Sequence, residues 1–127
     1  MIAPIRTFVF VAIFLSATAT PAFADDVQLP DGTDWRRATE QERLAYITGF
    51  SNALSLGYVS DEKHIPGNRE TFTHRVVSGL DGTTIEQGVA IIDTWYKAHP
   101  SELATPVLQV LWDQAGKPRV EKSDKHH

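Results

Sequence analysis

The stretch TEQERLAYITGFSNALSLGY, residues 39–58, decides the fold. Thr39-Glu40-Gln41-Glu42 forms a capping box, in which the Thr39 hydroxyl accepts from the Glu42 N–H and the Glu42 carboxylate reaches back to the Thr39 N–H. Leu44, Ile47, Phe50, Leu54 and Tyr58 then recur at three- and four-residue steps. That spacing predicts one buried helical face, with the helix running to about Leu56. A second stripe, Ala45, Gly49, Ala53 and Gly57, repeats every four residues. Small residues in line let another helix approach closely, an offset for the roughly 1 kcal/mol that Gly49 costs in a helix interior. Gly57 is the expected stop.

Toward the N-terminus, residues 25–38 contain Pro30 and the turn pair Asp31-Gly32, and predict an extended lead-in. Ahead of it, Met1 to Thr7 carry one side-chain charge, Arg6. Phe8 to Leu15 is an unbroken apolar run, Pro21 breaks any helix, and Ala22-Phe23-Ala24 offers small residues for cleavage. A membrane span needs roughly 20 apolar residues, more than this run supplies. Residues 1–24 therefore read as a signal peptide cleaved after Ala24, and the mature chain as an exported, most plainly periplasmic, protein. The chain has no cysteine. It can carry neither a thiol-linked lipid anchor nor a disulfide, and thiol catalysis and cysteine-ligated metals are excluded.

Toward the C-terminus, Val59 to Glu70 is polar and turn-rich, with Pro66-Gly67-Asn68. Thr71 to Leu80 allows a short helix or an extended segment, with helix preferred. Thr83 and Glu86 suggest a second capping box. Ile85, Val89, Ile92 and either Trp95 or Tyr96 share a face of the helix that follows, and His99-Pro100 ends it. A third helix is expected from Thr105, with Pro106 in its first position, until Gly116-Lys117-Pro118 stops it. Residues 117–127 read as a flexible charged tail. The fold class is all-α: a helical domain over 39–116, built as a small bundle of three main helices plus the segment at 71–80.

The 127 residues carry twelve basic and sixteen acidic side chains. An acidic surface suits neither nucleic acid nor anionic lipid, which need a basic footprint. His64, His74 and His99 fall in separate elements, and His126-His127 is a terminal pair, so no metal-ligand spacing exists. Ser51, Ser55 and Ser78 lack a nucleophile elbow. Glu86 and Asp93 share a helix face, but Asp93 is expected at the solvated boundary. No glycine loop for phosphate or dinucleotide is present, and no cofactor is expected. The aromatic residues Trp35, Trp95, Tyr96 and Trp112 suit a disulfide-free core. Adjacent Trp95 and Tyr96 point about 100° apart, so one of them is a surface candidate.

The helix Glu42-Arg43-Leu44-Ala45-Tyr46-Ile47-Thr48-Gly49-Phe50, the section from Thr83 to Val89 followed by Trp95-Tyr96-Lys97-Ala98-His99-Pro100, and the final helix from Pro106 to Gln114 occur in a recognisable order. This order resembles the Rap1a/Tai-like proteins and related exported bacterial proteins, over Trp35 to about Ala115. The resemblance implies a helical periplasmic protein that binds and blocks a secreted toxin, with no catalytic residues. Typical members carry a cysteine pair, which this chain lacks.

The leading expectation is a non-enzymatic protein-binding domain, with Tyr46, Tyr58, Trp95 or Tyr96 and the Val59–Glu70 loop as its contact face. One alternative is a structural or stress-related protein that self-associates, as a homodimer, through Ala45, Gly49, Ala53 and Gly57. Another is a small hydrolase or ligand carrier whose pocket gathers His74, Asp93 and His99.

Overall fold

A computed structural model of the chain describes residues 27–126. The signal peptide expected over 1–24 lies outside the described residues. The chain is an all-α bundle in the order α1 (Gly32–Arg37), α2 (Glu40–His64), α3 (Phe72–Leu80), α4 (Ile85–Ala98), α5 (Val107–Leu111), a π turn (Trp112–Gly116) and α6 (Lys117–Asp124). No strand occurs among the described residues; the one extended pairing is an isolated bridge between Asp31 and Pro106.

The lead-in is not extended throughout. Asp31 caps α1, its carboxylate accepting from the N–H groups of Thr33 and Asp34. Gly32 is buried against the Tyr96 ring and the Leu103 side chain, where any Cβ would collide. Its N–H donates to the Leu103 carbonyl at 2.8 Å, and Val107 N–H donates to the Pro30 carbonyl at 2.9 Å. These bonds staple the segment before α1 to the connection before α5.

The capping box at Thr39 and Glu42 opens α2 as predicted. The helix passes Gly57 and continues to His64, so the first turns of the expected 59–70 loop are helical. Gly57 does not stop it because Thr73 packs there: a Cβ at Gly57 would meet the Thr73 methyl at 2.6 Å. The stop comes at Ile65, whose non-helical backbone suits a residue before proline. Thr71 caps α3 by accepting from the His74 N–H, and 71–80 resolves as helix.

The cap of α4 is Thr84, paired with Gln87, one residue later than the Thr83 and Glu86 pairing expected. Thr83 N–H is already committed to the Leu80 carbonyl in the turn at Gly82. Pro106 is the cap of α5 rather than its first residue. Gly116-Lys117-Pro118 does not end the last helix. Trp112–Gly116 widens into a π turn, with Lys117 N–H reaching back to the Trp112 carbonyl. Pro118 then falls in the first turn of α6, where its missing N–H is tolerated. The expected tail is therefore helical to Asp124.

The core gathers Trp35, Ile47, Val89, Ile92, Tyr96, Val107, Val110, Leu111 and Ala115. Each large member contributes about 1.5–3 kcal/mol by leaving water, in a chain with no disulfide. The helix α3 crosses the π turn where Gly79 meets Gly116, backbone against backbone.

Candidate interaction surface

The helix α2 carries no charged side chain between Arg43 and Asp61. Its inner face holds Ile47 and Leu54 in the core. Its outer face holds Ala45, Gly49 and Ala53, all exposed, and a Cβ at Gly49 would meet nothing within 4 Å. The small-residue stripe therefore serves no helix packing within the bundle over its first three members. Only Gly57 receives a neighbour. Further along, Leu56 is 73% exposed, Val59 64% and Tyr58 36%, while Ile65 and Phe72 stand open beyond the helix end. Exposed apolar side chains that stand close together mark contact surfaces, and Leu56 and Val59 lie three residues apart on the outer side of α2.

Tyr58 is held rather than loose. Its ring lies 4.4 Å from the His74 imidazole, tilted by 41°. His74 is buried, with Nε2 at 2.9 Å from Glu62 Oε1. The distance suits a hydrogen bond but the alignment does not, and Nε2 has no aligned partner. The interaction is ionic only with the imidazole protonated. One residue earlier on each helix, the Thr73 hydroxyl donates to the Asp61 carboxylate. That bond and the Thr71 hydroxyl hold Asp61 below its ordinary carboxylate range, with His74 and His64 adding in the same sense. A cleft of about 490 Å³ opens here, lined by Tyr58, Glu62, Arg69, His74 and Ser78 among others.

The four aromatic candidates do not converge. Tyr96 is 2% exposed and belongs to the core; its hydroxyl donates to the Thr105 carbonyl. Burial pushes that hydroxyl up to about 12, with the charges of Asp31 and Tyr46 adding. Tyr46 is half-buried against the same core, and burial raises its hydroxyl too. Trp95 stacks on His99, with centroids 4.3 Å apart and planes 15° apart, and lines a separate cleft. Tyr58 alone of the four stands near the C-terminal end of α2, on the side that faces α3. Val59 and Ile65 fall within the Val59–Glu70 segment expected in the contact face, whereas Leu56 and Phe72 were not among the predicted contacts. The charge-free run from Leu44 to Ser60 was the signal available for Leu56.

The residues of the hydrolase reading are also apart. His74 lines the cleft beside Tyr58, and His99 the one beside Trp95. Asp93 lies at the boundary as expected, part-exposed, but it is paired rather than simply solvated. Its Oδ1 accepts from Trp35 Nε1 at 2.6 Å and from Arg43 Nη1 at 3.1 Å. Arg43 Nε donates in turn to the Trp35 carbonyl at 2.9 Å. This network ties α1, α2 and α4 together. No group of three metal-ligating side chains exists among the described residues, and no helix described is long and apolar enough to cross a membrane.

Fold and surface together define a small all-α bundle with exposed apolar side chains on its longest described helix. Comparison of the chain with family models, curated proteins and solved structures returns no match.

Proposed function

We propose that this chain is a small protein-binding domain, exported to the periplasm behind a cleaved leader, that acts by contact and not by catalysis. The observation that carries the reading is the charge-free run of α2 from Leu44 to Ser60, which leaves Leu56 and Val59 open to solvent on its outer side, with Phe72 exposed at the start of α3. Leaving Leu56 or Phe72 in water forgoes about 1.5–3 kcal/mol each relative to burial, a gain that a partner surface recovers. The leader-like N-terminus and the resemblance to Rap1a/Tai-like proteins support the same reading, and an inhibitor of the immunity type is its most specific form.

The test is capture from a native periplasmic extract by the chain and by Leu56→Asp with Phe72→Asp. The chain should retain a partner at micromolar concentration, and the double variant should retain none while melting at a similar temperature, since both sites are exposed. Retention of nothing, or equal retention by both, would overturn the reading.

A second reading is self-association through the outer stripe, favoured by the open space over Gly49. Light scattering separates the two. A concentration-dependent dimer that Gly49→Leu abolishes supports self-association, and a monomer at every concentration rejects it.

A further inference from the structure

Three arginines from three separate elements line one cleft of about 320 Å³: Arg69 from the 65–71 connection, Arg75 from α3 and Arg119 from α6. They are a local exception in a chain where acidic side chains outnumber basic ones. Little neutralises them. Arg75 Nη1 stands 3.5 Å from Glu70 Oε2 with both side chains exposed, a geometry worth little in water. Arg119 donates to the Asp81 backbone carbonyl, which carries no net charge. Arg69 forms no hydrogen bond or ion pair among the described residues. Glu70 and Asp124 complete the charged lining. Three positive charges against two negative leave the cleft one charge short of neutral. That balance suits one added carboxylate better than a doubly charged phosphate.

The cleft also adjoins a second one. Arg69 and Ser78 line both it and the neighbouring cleft that holds Tyr58 and His74. A ligand lying across the two meets guanidinium groups at one end and, at the other, the Tyr58 ring in a lining that includes Glu62 and Asp81, so its carboxylate belongs at the first end and an uncharged side chain at the second. Guanidinium pairs with carboxylate through two parallel N–H donors, which fixes orientation as well as charge.

We propose that the partner is an acidic protein segment, whose aspartate or glutamate carboxylate docks among Arg69, Arg75 and Arg119 while an apolar neighbour packs on Tyr58. This rests on the protein-binding reading and names the chemistry of its partner. A carboxylate entering here exchanges its water for two or three charge-assisted bonds, and the Glu70 side chain, exposed and weakly held, swings aside.

The test is a ¹⁵N NMR titration with three probes: acetyl-Leu-Glu-Phe-Glu-amide, its glutamine counterpart acetyl-Leu-Gln-Phe-Gln-amide, and inorganic phosphate. The acidic peptide should shift the Nε–Hε signals of all three arginines and bind at least about fivefold more tightly than the neutral one, with affinity falling as salt rises. Arg69→Ala with Arg75→Ala should remove that preference, and Arg69→Lys should keep part of it. Both side chains are exposed, and unchanged melting of the variants confirms the fold. Equal binding of the two peptides would overturn this inference while sparing the protein-binding reading, which the extract experiment judges by itself. Absence of shifts at the arginines, or phosphate reproducing the same shifts at the same concentration, would overturn it as well.

Discussion

Replacing Gly79 and Gly49 by alanine, one at a time, separates close packing from helix propensity. Both glycines lie inside helices, so each substitution gains up to about 1 kcal/mol of propensity. At Gly49 a Cβ meets nothing within 4 Å. At Gly79 it would stand 2.8 Å from the Gly116 carbonyl oxygen and 3.0 Å from two more backbone atoms of that residue. Backbone has no rotamer to escape into. The helix α3 must therefore move off the π turn by roughly half an ångström to reach ordinary contact distance. Overpacking of this kind costs about 1–3 kcal/mol. Gly79 is the penultimate residue of α3, so its propensity gain is the smaller of the two, and Gly79→Ala should fall below Gly49→Ala by at least about that amount. Urea unfolding followed by circular dichroism reads the difference directly. With a slope of about 1–3 kcal/mol/M, the two midpoints should separate by roughly 1 M. Equal midpoints, or Gly79→Ala as the more stable variant, would refute the close crossing of α3 over Gly116.

Two further expectations concern single hydrogen bonds. Thr84→Ala should cost about 1 kcal/mol through loss of the α4 cap, whereas Thr83→Ala should stay within about half of that in the same urea assay; the reverse order would return the cap to Thr83. Tyr96→Phe should cost about 1 kcal/mol near neutral pH, because the Thr105 carbonyl loses its donor. Its effect should change with pH. The folded chain keeps the Tyr96 proton up to about 12 against an ordinary value of 10.0. The stability linked to that proton is whole below about pH 10 and is lost as pH rises through 12. Wild type should therefore lose more stability than Tyr96→Phe between about pH 9 and pH 11, and parallel losses in urea melts at the two values would count against it.

The start of α2 was legible because its information is local: Thr39 and Glu42 meet within one turn and need nothing else. Its end was not, because a methyl from Thr73 fills the space beside Gly57 and no pattern within α2 encodes that. The α4 cap slipped by one for a different reason. Thr83 and Thr84 both offer hydroxyls and Glu86 and Gln87 both offer acceptors, so the local pattern is degenerate until the Gly82 turn takes the Thr83 N–H. Periodicity left Trp95 and Tyr96 undecided; the absent side chain at Gly32 decides for Tyr96, since only there is a bare backbone waiting for the ring. Of the surface, Tyr58 was legible from its place on the α2 face. Asp93 looked solvated because its partners, Trp35 and Arg43, lie fifty or more residues away in the chain. The arginine cleft draws on residues 69, 75 and 119, a grouping that no spacing rule contains.

The π turn at Trp112–Gly116 holds one residue more than an α-helical path would need. Were that surplus deleted, every residue of α6 would rotate by about 100° about the helix axis. Pro118 would move up into a continuous helix interior, its ring against a carbonyl one turn before. Arg119 would swing away from Arg69 and Arg75, and the third wall of the cleft would be gone. The chain's length between Leu111 and Lys117 is thus a phase setting: it determines which side of the last helix faces the rest of the molecule, independently of which residues that helix contains.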